Sequence, residues 1–411
     1  MANHSEPGID VEEISEMAEP IVGVGTTTVA FIGGAPQGPV LEPTLVTDWD
    51  LFFEEFGGLD YTANGFYLGH AVALFFKNGG ERAYIVRVTG DTKAAYVTKG
   101  VPGGIPYRNG LACLEGLDDI NMVTMPDGTN ADDQKALIEH CEKMRDRFAI
   151  IDSPPDPREV GDAHDVRLLR QKLISKKGFA AIYYPWISVQ DPKTKRMRVV
   201  PPSGAVAGIF VRTDMQKGVY KAPTNELVME AIDTEVAVDQ ADQNELGRIG
   251  VNVIRKFTGR GILVWGSRTT SDDSMWKNIN VRRTVIYLER SISKGIEWVV
   301  FEPQDEITWT EIKQSAVEFL TTSWKNGMLL GAKPEEAFFV RCDRTTMTQA
   351  DIEGEKLIVE VGVALTRPSE FIVFNVVHEM ERVGPRKLVD RTLDAPKKKK
   401  HYYSAKMMTK E

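Results

Sequence analysis

Hydrophobic positions along the chain fall into two alternating rhythms. Val29 to Ile32 is a short apolar run before the turn GGAPQGP. AYIVRV (Ala83 to Val88), INMVTMP (Ile120 to Pro126), FAIID (Phe148 to Asp152) and FAAIYYPW (Phe179 to Trp186) are similar runs, rich in β-branched and aromatic side chains. Such runs predict buried strands. Between them apolar residues recur at helical spacing. Tyr67 to Phe76 stops at Asn78-Gly79-Gly80, and Asp132 to Phe148 places Leu137, Ile138, Cys141 and Met144 on one face. A further helix is predicted near Asp165 to Ser175. Strands that are nearly all apolar, alternating with amphipathic helices, imply a mostly parallel sheet covered on both faces. VNVIRKF (Val251 to Phe257) and GILVWG (Gly261 to Gly266) predict two more strands.

The last third has a different rhythm. Asn280 to Ser293 is predicted helical, and EWVVFEP (Glu297 to Pro303) a strand. In ITWTEIKQSAVEFLTTSWKNG the residues Trp309, Ile312, Ala316, Phe319, Leu320 and Trp324 form one apolar face. Thr308 and Glu311 have the spacing of a capping box, and Asn326-Gly327 is a stop. Three strands follow in EEAFFVRC, KLIVEVGVALT and EFIVFNVV. Helices against a small mixed or antiparallel sheet make an α+β module.

The 411 residues are 42% hydrophobic and 27% charged, enough for a large core in two or three domains. No apolar run reaches the ~18 residues of a membrane span, and the acidic N-terminus lacks the pattern of a signal peptide. Cys113, Cys141 and Cys342 are too scattered for a disulfide framework or zinc site and suit a reducing compartment. A net charge of −9 disfavours nucleic acid as a partner. The charge is uneven. Residues 1–20 hold Glu6, Asp10, Glu12, Glu13, Glu16 and Glu19 and no Lys or Arg, a net −6. Residues 385–411 hold Arg386, Lys387, Arg391, Lys397, Lys398, Lys399, Lys400, Lys406 and Lys410 against Asp390, Asp394 and Glu411, a net +6. The two ends are either solvated tails or arms that meet each other or a neighbouring copy.

Catalytic patterns fail one by one. There is no P-loop and no full dinucleotide fingerprint, so the glycines at 23, 25, 33, 34 and 38 read as turns. His378-Glu379 lacks a second histidine at 382, which is Arg382. There is no GxSxG elbow, and Cys342 has no activating histidine nearby in the sequence. The stretch Gly259 to Arg283, with Gly259, Gly261, Trp265, Trp276, Arg260, Arg268, Arg282 and Arg283, is therefore read as structural. Its glycines suit a tight turn, its tryptophans supply contact area, and its arginines suit carboxylates of a neighbouring domain or chain. No catalytic residue, metal or cofactor is expected.

The order of the longer motifs resembles the contractile tail sheath family, found in contractile phage tails, tailocins and extracellular contractile injection systems. The resemblance runs from PGIDVEEI (Pro7 to Ile14) and IVGVGTTTVAFIGGAPQGP through KNGGERAYIVRV, YYPW and GVYKAPTNE. It continues through NVIRKFTGRGILVWGSRT, NVRRTVIYLERSI, WVVFEPQDEITW and GAKPEEAFFVRCD. It implies a non-catalytic, subtilisin-like α/β core with a mostly parallel sheet, a C-terminal α+β domain, and extended N- and C-terminal arms. On that plan the N-terminal arm is 1–24, the first part of the α/β domain 25–110, its core 111–276, the C-terminal domain 277–384 and the basic arm 385–411.

The resemblance also implies a function: hexameric rings of this chain stacked into a helical sheath that contracts to drive an inner tube through a target envelope. Expected partners are further copies, the inner tube protein, and baseplate and terminator or cap proteins, with no nucleic acid and no membrane insertion. Assembly would occur in the cytoplasm of the producing bacterium, and the product would be part of a phage tail or a released particle. The inter-subunit arms would be Pro7, Gly8, Ile9, Asp10, Val11, Glu12, Glu13 and Ile14, and Arg386, Lys387, Leu388, Val389, Arg391 and Lys397 to Lys400. Val359, Val361, Phe371 and Val373 would mark the acceptor sheet, and Glu311, Lys313, Gln314, Glu318 and Lys325 a tube-facing helix, the alternative for that face being solvent. Two other classes stand beside this one: a divergent α/β hydrolase, and a baseplate or adaptor protein that does not polymerise.

Overall fold

The computed structural model describes residues 20–59, 66–88, 110–155, 164–191, 194–365 and 372–380. The Pro7 to Ile14 and Arg386 to Lys400 segments and Phe371 lie outside them.

In chain order the first half runs β1 (Thr28–Gly33), β2 (Thr44–Val46), α1 (Trp49–Phe56), α2 (Leu68–Lys77), β3 (Arg82–Arg87), β4 (Met122–Thr124), α3 (Ala131–Met144), β5 (Phe148–Asp152), α4 (His164–Lys172) and β6 (Ala180–Tyr184). Then come β7 (Ile187–Gln190), β8 (Met197–Val200), α5 (Ser203–Lys217), β9 (Glu226–Leu227), β10 (Ala231–Thr234), α6 (Gln240–Arg248), β11 (Val251–Phe257) and β12 (Gly261–Trp265). The remainder is α7 (Ile279–Gly295), α8 (Glu306–Lys325), α9 (Pro334–Ala337), β13 (Phe338–Arg341), α10 (Gln349–Glu353), β14 (Lys356–Val363) and β15 (Ile372–Glu379).

One sheet has the order β2-β3-β1-β4-β5-β6-β11-β12-β9. Its six central strands, β3 to β11 in that order, are parallel, and β2, β12 and β9 pair antiparallel at the margins. Both faces are buried, which is why β1, β5 and β6 read as apolar runs. Phe52 and Phe56 of α1, Phe75 of α2 and Phe210 of α5 close one face. Leu137 and Cys141 of α3, Leu169 of α4 and Leu246 of α6 close the other. A small sheet, β10-β7-β8, sits beside the main one.

The C-terminal unit is an antiparallel sheet, β13-β14-β15, with α7 and α8 against its inner face. Leu357, Val359, Val361 and Val363 of β14 meet Trp309, Ile312, Phe319 and Leu320 of α8 there. The helix α7 belongs to both units: Ile279 and Ile286 enter the two cores of the large sheet, and Val281, Val285, Leu288 and Ile292 the C-terminal core.

Three local expectations are corrected. Glu297–Phe301 is a 3₁₀ helix, since Ile296, Val299 and their neighbours continue the turn of α7 into the core instead of reaching a sheet edge. The N-cap of α8 is Asp305, whose carboxylate accepts the Ile307 and Thr308 N–H groups; Thr308 lies inside the helix and donates its hydroxyl to the Pro303 carbonyl. Glu335 and Glu336 belong to α9 and not to the strand that follows, because Pro334 starts a helical turn.

Candidate interaction surfaces

The C-terminal sheet has two outer strands and a protected centre. Val359 and Val361 lie on β14, paired on both sides and buried. They hold the sheet to its helices and present no free backbone edge. Val373 is on β15, where the alternation is clean: Ile372, Phe374 and Val376 face inward, and Val373 and Val377 stand out at 48% and 53% exposed. Among the described residues nothing pairs with the far edge of β15. An eight-residue strand whose outward side chains include two exposed valines, with no partner on that edge among the described residues, is a template for another strand unless it is covered.

Both described ends of the chain converge on the last turns of α7. At the front, Ile21 is buried in the C-terminal core, and the Val24 N–H donates to Ser291 Oγ at 3.1 Å. Asn121 clamps the next turn, with Oδ1 accepting from Thr28 N–H at 3.0 Å and Nδ2 donating to the Gly25 carbonyl at 2.7 Å. The close fit needs glycine: a methyl group at Gly295 would lie 2.7 Å from Ile21, and one at Gly23 would overlap the Tyr287 hydroxyl. At the rear, His378 of β15 lies 3.4 Å from Ser293 Oγ, and Met380 N–H donates to the Glu355 carbonyl at 2.8 Å. This docking was not read from the sequence. Its trace there is IVGVG, whose glycines permit the approach while Ile21 supplies the plug.

On α8, Lys313, Gln314, Glu318 and Lys325 are exposed and Glu311 is half-buried. They form one polar face opposite Ile312, Ala316, Phe319 and Leu320.

The arginines of the Gly259–Arg283 stretch divide. Arg283 makes a two-pronged pair with Asp214 of α5, at 2.8 and 2.5 Å, fully buried. Arg282 is sandwiched between the Phe179 and Trp276 rings, 4.4 and 4.3 Å from their centroids, and burial pulls its pKa down to about 10. Arg268 donates to Asn278 Oδ1 at 2.9 Å. Arg260 bonds Asn225 and leans over Phe257 and Trp265. Of the four, Arg283 is the one found on a carboxylate among the described residues; the others use rings and amides there. Gly259 and Gly261 make the β11–β12 turn, at φ of 74° and 85°.

The carboxyl ends of parallel strands are the usual place for chemistry in such a sheet. Here Asp152, at the end of β5, accepts the Ser203 N–H at the start of α5 at 2.8 Å. Burial, with Asp127 adding to it, pushes its carboxyl up to about 7. His70 is held neutral, with a pKa brought down to about 4 by burial and Arg198, and its Nε2 has no partner. No hydrogen bond joins His70 to Ser203 or Asp152 among the described residues, so the three do not form a relay. The three cysteines are buried, and burial pushes the Cys342 thiol up to about 12. No helix among the described residues is long and apolar enough to cross a membrane, and no group of His, Cys, Asp and Glu there is placed to hold a metal.

The described residues thus form two units, a large mostly parallel sheet and a small antiparallel one, joined through α7, with the N-terminal stem pinned on that helix. The family models agree. Residues 100–270 match the phage tail sheath protein central domain and residues 271–379 the phage tail sheath C-terminal domain. The chain belongs to the contractile tail sheath family.

Its similarity to the tail sheath protein of Salmonella phage ViI is 24% identity over 318 residues, covering 69% of this chain and 48% of that protein. The chain spans about half the length, or less, of the curated relatives it matches. Solved structures align more completely. The PVC sheath complex of an extracellular contractile injection system, in its contracted state, has TM-score 0.71 and 26% identity over 91% of this chain and 98% of that one. The anti-feeding prophage helical sheath, also contracted, has TM-score 0.66 and 30% identity over 90% and 99%.

Proposed function

We propose that this chain polymerises as stacked hexameric rings around an inner tube, and that the sheath contracts to drive the tube through a target envelope. The observation that carries this is the likeness over nine-tenths of the chain to subunits solved within assembled contracted sheaths. The particle would be completed by an inner tube protein, a baseplate and a terminator or cap protein. It would assemble in the cytoplasm of the producing bacterium and leave as part of a phage tail or a free particle. On this reading the α/β core is a non-catalytic relative of the subtilisin fold. The domain limits are 25–110 and 111–276 for the α/β part and 277–384 for the C-terminal part, flanked by arms at 1–24 and 385–411.

The link between copies would be strand addition. Arm residues Pro7 to Ile14 and Arg386 to Lys400 would pair with outer strands of neighbouring C-terminal sheets, with the acidic and basic arms of different copies meeting on one sheet. What favours this is the open edge of β15 and the anchoring of the N-terminal stem on α7, which gives a pull on the arm a rigid point of attachment. Each added backbone hydrogen bond contributes only ~0.5–1.5 kcal/mol net, so a ladder of them is strong in sum and deformable locally. Contraction then needs two packings of the same subunits, the long one metastable. The polar face of α8, with Glu311, Lys313, Gln314, Glu318 and Lys325, would hold the tube.

Negative-stain microscopy of the purified chain, with and without residues 1–20 and with and without the tube protein, tests this. Striated hollow cylinders that vanish on truncation are the expected result. Cylinders that survive truncation would remove the role of the N-terminal arm, and small particles in every mixture would remove the sheath.

A further inference from the structure

The two edges of the large sheet carry patches of opposite character. At the β2 edge, α1 presents Leu51 (45% exposed) and Phe53 (55% exposed) beside Asp50, Glu54 and Glu55, with Leu45 of β2 next to them in the fold and also exposed. Between Val40 and Gly58 there is no Lys or Arg, against five acids: Glu42, Asp48, Asp50, Glu54 and Glu55. Asp48 is occupied as the helix cap, but no ion pair neutralises the other four among the described residues. Leu51 and Phe53, two apart in the helix, flank its outward acidic face, one on each side.

At the opposite edge, the β11–β12 hairpin beside β9 has the complementary make-up. Phe257 and Trp265 lie 4.8 Å apart by their ring centroids, half-exposed. Arg255 stacks on Phe257 at 5.2 Å, and Arg260 on both rings at 5.5 and 5.8 Å. Leu227 of β9, 44% exposed, abuts Gly261 on the same side. Among the described residues the hydrogen bonds of Arg255 and Arg260 go to the neutral side chains of Gln240, Gln243 and Asn225 and to no carboxylate. Two arginines placed over aromatic rings, with a leucine beside them, are the composition of an interface centre.

We propose that the α1 patch of one copy docks on the Arg255–Arg260–Trp265 patch of the next. The contact is heterologous, because the two patches lie on opposite edges of the same sheet, and a repeated heterologous contact generates a ring or a helix. Glu54 and Glu55 meet the arginines, and Leu51 and Phe53 meet Leu227 and Phe257. This deepens the polymerising role proposed above and rests on it, supplying a side-by-side contact through the rigid sheet that is separate from the arms.

The full-length chain tests it in two independent ways. In sedimentation and microscopy of assembly, Arg260→Glu and Glu54→Arg should each lower polymer yield about ten-fold, since like charges then face each other, and the double variant should recover it. Circular dichroism of each variant checks that it is folded; both positions are exposed. Separately, a chain with Leu51→Cys mixed with a chain with Leu227→Cys should join through a short bis-maleimide, while neither joins to itself. Cylinders that tolerate the single charge reversals, or a double variant no better than the worse single, together with no mixed cross-link, would overturn this contact and leave the sheath standing. A mixed cross-link without cylinders would keep the contact and remove the sheath. Neither cylinders nor cross-link would remove both.

Discussion

At the scale of single residues the fold carries buried charges that its surroundings tune. Asp152 is protonated more readily in the folded chain than in the unfolded one, because burial pushes its carboxyl from an ordinary 3.8 to about 7. A raised pKa means that its contribution to stability is fully present below about pH 4 and is lost as pH rises through about 7. Asp152→Asn keeps an oxygen for the Ser203 N–H and removes the titration. The variant is therefore expected to gain on the wild type as pH rises from about 5 to about 8, measured as the difference in urea midpoints. His70 and His140 act in the other direction. Burial holds both near 4, so their contribution is lost as pH falls from about 6.5 toward 4, and it cancels in that comparison. A gap between wild type and variant that does not change with pH would show that Asp152 stays ionised in the fold.

At the scale of elements, α8 is held by its cap as well as by its apolar face. Asp305 accepts two of the otherwise unpaired N–H groups of the first turn, so Asp305→Ala should cost about 1 kcal/mol in chemical denaturation. A capping box of Thr308 and Glu311 would instead make Glu311→Ala the costlier change at that end, since Thr308 has its own buried bond to Pro303 in either arrangement. The sequence suggested that second arrangement because Thr-x-x-Glu has the right spacing; what it hid is that the helix starts a turn earlier. Amphipathic helices such as α3 were legible because one face is polar. The central helix α5 was not. Gly204 to Val211 is buried on every side, packed between α2 and the sheet, so it carries no polar stripe. Gly204 and Gly208 mark it in retrospect, as places where the α2 backbone comes too close for a side chain. Short margin strands such as β2 and β9, of three and two residues, were missed because a strand that brief has no period to read.

At the scale of the molecule, α7 is the joint. Its residues enter both cores of the large sheet and the C-terminal core. Arg290 fastens it to the α/β unit by donating to the carbonyls of Asp118, Ile120 and Asp146, and Arg145 pairs with Glu289 at 2.8 Å. The N-terminal stem and the end of β15 both lie against its last turns. Load applied at either described end thus reaches the two units through one helix. Arg290→Ala is expected to split the thermal unfolding of the monomer into two calorimetric transitions, or to widen it clearly, as the units uncouple. A single transition of unchanged sharpness would show that the apolar contacts of α7 carry the coupling alone.

The sequence by itself determined the central strands and the amphipathic helices of the alternating core, since burial on two faces or one leaves a direct record in side-chain type. It also carried the family, through long motifs in a fixed order, and the opposite charge of the two ends. Only the tertiary structure decided what those motifs do. Arg283 finds Asp214, 69 residues away in the chain, and Arg282 finds Phe179, because α7 crosses beside α5 and β6. Val359 is placed at the protected centre and Val373 on an outer strand of the described sheet by strand order, which no local pattern encodes. The acidic helix α1 and the Arg–aromatic hairpin likewise acquire their relation from the topology of the sheet. Residues that are remote in sequence become opposite edges of one surface when the strands between them pair.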